Sequence, residues 1–259
     1  MSRLGAVARA WAGLRGLARD RRPLWRLYLG LRGTLRGRQA LVWLLLLGFV
    51  GPWLVFIEIA EEIWQGGGFP GDQYVLETLH QNATPGLDRL ALGLSTAGGP
   101  PVMLALTAAL LAGLWARGRR LDAAFFLAAV GGAMLLNVLV KLVFGRARPA
   151  LWAPLDPAPF YSFPSGHAMG AAALAMALGL LLAGHRGRWA GWGLGALFVL
   201  GVGWSRLYLG VHFPSDVLAG WVGSVGWVGG QRLLFSSYRG ELRAWGRQLV
   251  HVWRHRSHA

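Results

Sequence analysis

Residues 121–149 read LDAAFFLAAVGGAMLLNVLVKLVFGRARP. Between Asp122 and Lys141 the run carries no charge, and it is long enough to cross a bilayer as one helix, which takes about 20 apolar residues. The surrounding chain has the same character. Its 259 residues are 54% hydrophobic and only 14% charged, too apolar for an ordinary soluble domain. Further apolar runs lie at 40–57, 95–116, 165 to just before His185, 189–204 and 216–235. Together with Leu121–Phe144 they predict an all-α, polytopic membrane protein with six transmembrane helices.

Charge orients those helices. The net charge is +15, from 26 Lys and Arg against 11 Asp and Glu. Such an excess can mark a nucleic-acid binder, but here the arginines flank apolar spans instead of interleaving along a polar face. The bilayer is therefore the expected partner, and nucleic acid is not. Six helices place both termini on one side, together with the turns at Arg117–Arg120 and Arg186–Arg188. The positive-inside rule makes that side the cytoplasm. Glu58, Glu61, Glu62, Asp72, Glu77 and Asp88 fall outside, in a loop around Gly66-Gly67-Gly68 with a short helix near Asp72–His80.

Three segments result: a basic amphipathic stretch at 1–39, a membrane domain at 40–235 and a basic cytoplasmic tail at 236–259. The first is too long in its charged part, and lacks a small-residue cleavage site, for a secretory signal peptide. An Arg-rich, acid-poor start also suits an organellar transit peptide or a solvated tail. We read it as interfacial helices on an anionic leaflet. Pairs such as Gly166/Gly170 and Gly191/Gly195 predict close helix packing. Without cysteine, the chain can hold no disulfide, thiolate metal site or cysteine nucleophile.

Several polar residues run against this pattern. Lys141, the sole lysine, and Arg148-Pro149 stand at the outer end of the third span. Phe163-Pro164-Ser165-Gly166-His167 opens the fourth, and Ser205-Arg206 to Phe213-Pro214-Ser215-Asp216 joins the fifth to the sixth. Cations on the outer side contradict the topology rule, and ionisable groups there are functional candidates, with snorkelling as the competing account. Lys141 and Arg148 are seven apart and share a helix face if the helix continues to Pro149. Ser165 and Gly166 sit where a helix begins, and its free N–H groups favour an anion. His167 would stand in the first turn beside them. His212 and Asp216 are four apart, with Pro214 suited to the first helical position, so the carboxylate can hold the ring. A histidine oriented by a carboxylate, beside a cation, suits nucleophilic or general-base chemistry. Taken alone, that last segment reads equally well as a helix end with a capping Asp and an interfacial His.

Lys141 with Arg148-Pro149, Pro164-Ser165-Gly166-His167, and Ser205-Arg206 with His212 and Asp216 resemble the three-part signature of the type 2 phosphatidic acid phosphatase (PAP2) superfamily. All three parts stand in order, and the resemblance covers about residues 40–235. Leu87-Asp88-Arg89 to Gly98-Gly99 also resembles the entry to the second helix of bacterial members. The resemblance implies a helical core shared with vanadium haloperoxidases. It also implies a bacterial inner-membrane lipid phosphatase with its active site outside the cytoplasm and no metal or cofactor. Lys141, Arg148, Ser165, Gly166 and Arg206 would grip the phosphate. His212 would attack phosphorus, Asp216 would fix its tautomer, and His167 would protonate the leaving oxygen and later activate water. Undecaprenyl diphosphate, phosphatidylglycerophosphate, phosphatidic acid and diacylglycerol diphosphate are all substrates compatible with these motifs. A lipid phosphotransferase using the same intermediate, and a non-catalytic lipid-phosphate binding or transport protein, are the alternatives.

Overall fold

The computed structural model describes residue 39 and residues 42–66, 68–157 and 159–256, with side chains described to residue 236. Two units divide the chain, Met1–Trp43 and Leu44–Ala259. The first, and with it the amphipathic stretch 1–39, lies almost wholly outside the described residues. The second holds helices joined by loops and no strand among the described residues. A π-helical turn at Leu46–Val50 leads into α1 (Gly51–Trp64), followed by α2 (Asp72–Gln81), α3 (Pro85–Gly98), α4 (Pro100–Ala116) and α5 (Arg120–Phe144). Then come α6 (Gly166–Leu181), α7 (Arg188–Tyr208) and α8 (Pro214–Arg256).

The expected second span at 95–116 is instead a bent pair. α3 begins early because Thr84 caps it, its side chain accepting from the Leu87 N–H at 3.3 Å, with Pro85 at the first helical position. Pro100 lacks the N–H needed to continue α3 and pushes Gly99 into an extended conformation, ψ 158°. α4 restarts there at 44° to α3. The last span does not stop at Phe235 either; α8 continues as helix to Arg256. By length and composition, Val42–Trp64 and Arg120–Phe144 can each cross a membrane, and the α3/α4 pair makes a third span if counted as one. α6 is apolar but shorter.

α6 is the centre of the bundle, packed by α5, α7 and α8. Its sequence explains that position. Ala168, Gly170, Ala171, Ala173, Ala177 and Gly179 give it a narrow cross-section, so neighbouring backbones come close. A Cβ at Gly220 of α8 would stand 2.9 Å from the Ser165 carbonyl, so only glycine permits this approach. A Cβ at Gly195 of α7 would stand 3.2 Å from the Ala175 Cβ, the close packing its spacing predicts. Phe126, Met169, Ala173 and Val228 form the buried core around this axis. Leu104, Leu135, Leu142, Leu194 and Leu197 face outward and exposed, as the surface of a hydrocarbon-solvated bundle should. At one end of the bundle the 145–165 and 209–213 loops meet the start of α2 and of α3.

Candidate active site

Lys141 lies in the last turn of α5, and its Nζ donates to the carbonyls of Tyr161 at 2.5 Å and Ser162 at 3.3 Å. The helix does not continue to Pro149. Gly145 takes the left-handed conformation, φ +57°, and its N–H donates to the Lys141 carbonyl, which closes α5 at Phe144. Lys141 and Arg148 therefore share no helix face; the loop brings them together. Arg148 is wrapped by backbone, donating to the carbonyls of Pro159 at 3.1 Å, Phe160 at 3.0 Å and Val211 at 2.7 Å. Its Nη1 also stands 3.0 Å from His212 Nε2.

A guanidinium only donates, so Nε2 of His212 accepts and Nδ1 carries the proton. Nδ1 faces Asp216 Oδ2 at 3.4 Å, the pairing expected from the i,i+4 spacing, with Asp216 in the first turn of α8 after Pro214. Burial, reinforced by Arg148 and Arg206 and opposed by Asp216, lowers the imidazole from 6.5 to about 3. His212 thus stands as a neutral ring with a nucleophilic lone pair on Nε2. Asp216 Oδ2 also accepts from Ser162 Oγ at 2.5 Å and the Phe213 N–H at 2.9 Å, and Oδ1 accepts from Arg146 at 2.6 Å. Its carbonyl accepts from the Ser165 N–H at 3.0 Å, which ties α8 to the start of α6.

Ser165 caps α6 through its side chain, which accepts from the Ala168 N–H at 3.5 Å. The N–H groups of Gly166 and His167 then open the helix, where no intrahelical acceptor exists. Asn137 of α5 fixes this turn by donating to the Pro164 carbonyl at 3.1 Å. His167 lies within electrostatic reach of Arg206, Asp156, Arg148 and Lys141, and His212 of Arg148 and Arg206. At the bend between α3 and α4, a Cβ on Gly99 would stand 3.7 Å from His167 Nε2. Arg206 is fully buried near the end of α7. Its Nη1 donates to Ser95 Oγ and to Asp156 Oδ2 at 2.8 Å, and Ser95 donates to the same carboxylate oxygen at 2.7 Å. Burial pushes the Asp156 carboxyl up, but the bonds from Ser95 and Arg206 outweigh it and hold it below its ordinary value. Arg206 Nε and Nη2 have no hydrogen-bond partner among the described residues.

The structure thus gathers Lys141, Arg148, Ser165, Gly166, His167, Arg206, His212 and Asp216 at one end of the bundle. Sequence reasoning missed Ser162, Arg146 and Asp72 on one side, and Ser95 and Asp156 on the other. Arg146 carried a signal: an outer-side cation, against the topology rule, belonging to no motif position. Trp152, in the loop after Arg148, lies against Gly210 and stacks on His80, ring centroids 4.0 Å apart.

Residues 122–237 match the family model of the PAP2 superfamily. The chain is 30% identical over 176 residues to phosphatidylglycerophosphatase B of Bacillus subtilis (strain 168), covering 66% of this chain and 86% of that relative. It is 34% identical over 190 residues to an undecaprenyl-diphosphatase of Sulfolobus acidocaldarius, covering 71% and 86%. Among solved structures, a transmembrane PAP2-type phosphatidylglycerolphosphate phosphatase from Bacillus subtilis is similar with a TM-score of 0.63 at 28% identity, over 74% of this chain and 96% of that one.

Proposed function

The chain belongs to the PAP2 superfamily, and from that premise we propose that it hydrolyses a lipid phosphate or diphosphate through a phosphohistidine at His212. The observation that carries this reading is the unpartnered edge of Arg206. Two buried donors, Nε and Nη2, lack acceptors in a site that also holds the neutral His212 ring. A buried donor left unmade costs roughly 1–3 kcal/mol, and a phosphoryl oxygen supplies what is missing.

The chemistry follows from the arrangement. Arg148 Nη1, now on the Nε2 lone pair, turns to a phosphate oxygen when substrate enters. Lys141, Arg206 and the free N–H groups at the start of α6 complete the cradle, and charge stabilisation of this kind does most of the work in phosphoryl transfer. Nε2 attacks phosphorus, the bond to the lipid oxygen breaks, and His167 gives that oxygen its proton. The phosphorylated ring is cationic, with Nδ1–H toward Asp216. Water, deprotonated by His167, then attacks phosphorus, the P–N bond breaks and phosphate leaves. No metal ion takes part in this scheme.

The names of the relatives support both a glycerophosphate monoester and an isoprenyl diphosphate as head groups. Residues 40–235 form the phosphatase domain, with six spans, both termini in the cytoplasm of a bacterial inner membrane and the site on the opposite face. Purified protein in detergent with EDTA should release phosphate from one of a panel of isoprenyl diphosphates and glycerophospholipid phosphates. Phosphate delivered to an added acceptor lipid instead of water would make the chain a phosphotransferase; no release and no transfer would remove the enzyme reading. Single cysteines introduced into this cysteine-free chain test the topology. A membrane-impermeant maleimide should label Tyr74→Cys in intact cells and leave His185→Cys untouched.

A further inference from the structure

Arg146 lies outside the phosphate cradle, yet it holds the carboxylate that faces the nucleophile. Its side chain is 13% exposed and bridges two buried acids. Nη1 donates to Asp216 Oδ1 at 2.6 Å and to Ser215 Oγ at 2.8 Å, and Nη2 donates to Asp72 Oδ2 at 3.0 Å. Ser215 closes the ring, donating its N–H to Asp72 Oδ1 at 3.0 Å and its hydroxyl to Oδ2 at 2.5 Å. The guanidinium also lies 4.3 Å over Phe213, the residue after the nucleophile. A Cβ on Gly68 would stand 3.0 Å from Nη2, so the loop before α2 is shaped to this side chain.

We propose that Arg146, clamped by Asp72 of α2, is a positioning residue that keeps Asp216 ionised and turned so that Oδ2 faces His212. The inference rests on the phosphohistidine reading above. The guanidinium takes Oδ1, which leaves Oδ2 to the ring side, where Ser162 and the Phe213 N–H hold it. A planar fork can bridge two carboxylates in this way, whereas an ammonium cannot. The charges demand the bridge. Without Arg146, Asp72 and Asp216 are two carboxylates joined through Ser215 with no cation between them, and such a pair takes up a proton. Lys141 and Arg148 act on Asp216 through space, but neither contacts it. A protonated Asp216 cannot stabilise the cationic ring of the intermediate.

The test is a set of three variants, R146M, D72N and R146M/D72N, on the lipid phosphate that the wild type hydrolyses. R146M should lower kcat about 100-fold with KM changed less than about threefold, the range for loss of an orienting partner. The double variant should regain about tenfold over R146M, because removing the second carboxylate lets Asp216 ionise again. R146K should stay below wild type. Orthovanadate affinity should stay within about threefold in all of them, since the cradle is untouched. A merely structural role predicts the opposite: the double variant falls below R146M and vanadate affinity is lost with it. That result, or an R146M kcat within threefold of wild type, overturns the proposal. If the wild type hydrolyses no lipid phosphate, the phosphatase reading fails by itself. The brace is then judged by the carboxyl carbon chemical shift of Asp216, which should report an ionised group in the wild type and a protonated one in R146M. An Asp216 shift unchanged in R146M overturns it.

Discussion

Asp216 receives donors from Arg146, Ser162 and the Phe213 N–H, while Arg206, just as buried, is satisfied on one nitrogen and left open on the other two. The two groups belong to separate hydrogen-bond clusters within the candidate site. On the first, every polar atom that must keep its place is held. On the second, Nε and Nη2 have no partner among the described residues, which costs about 1–3 kcal/mol for each buried donor. In the proposed reaction the difference separates orientation from recognition: groups that orient His212 are paired with protein, and the donors left over are those a phosphoryl oxygen would take.

The largest effect should come from breaking the oriented side at its centre. His212→Ala should lower phosphate release by about 10⁴-fold or more, and retained turnover would remove His212 as the nucleophile. Asp216→Asn comes next, with kcat down about 10²–10⁴-fold, because the ring loses its anionic partner and can take the wrong tautomer. On the waiting side, Arg148→Lys should cost about 10–100-fold in kcat/KM, since a charge survives but the fork is lost. An unaffected rate would reduce Arg148 to a loop anchor.

Proton linkage sharpens the contrast. The His212 ring titrates at about 3 when folded and near 6.5 when free. Between those values the unfolded chain binds the extra proton, so stability should fall as pH drops from about 6.5 toward about 3. The variant His212→Gln should flatten the dependence of Tm on pH in that window. An equal slope in both proteins would mean the ring is not held neutral. The smallest effect belongs to the scaffold. Asn137→Ala removes the donor to the Pro164 carbonyl and should cost about 1–3 kcal/mol in denaturation, with catalysis reduced only as far as the α6 start loosens.

Six of the motif residues, Lys141, Arg148, His167, Arg206, His212 and Asp216, stood out in the sequence as ionisable groups beside apolar runs, while Ser165 and Gly166 showed only through the helix start and the motif they belong to. Their surroundings were not legible. Ser162, Asp72, Asp156 and Ser95 act across 50 to 143 residues of chain, in loops or at helix edges where no periodicity announces a partner. The helix-face argument for Lys141 and Arg148 failed for a local reason: Gly145 stops α5 before Pro149 can. The α3/α4 corner was missed because its two halves share one apolar composition, and only Pro100 marks the break. Arg146 showed itself by sign alone, and its partner Asp72 opens the short helix that the sequence predicts near 72–80 without giving its carboxylate a role.

That corner has a further result. Position 99 bears no side chain, and the space where one would sit borders the His167 imidazole, the proton donor of the proposed reaction. The corner between α3 and α4 therefore offers a gauge of the proposed reaction: a methyl added at 99 would crowd the His167 side by one carbon, and bulky leaving groups should register it before slim ones.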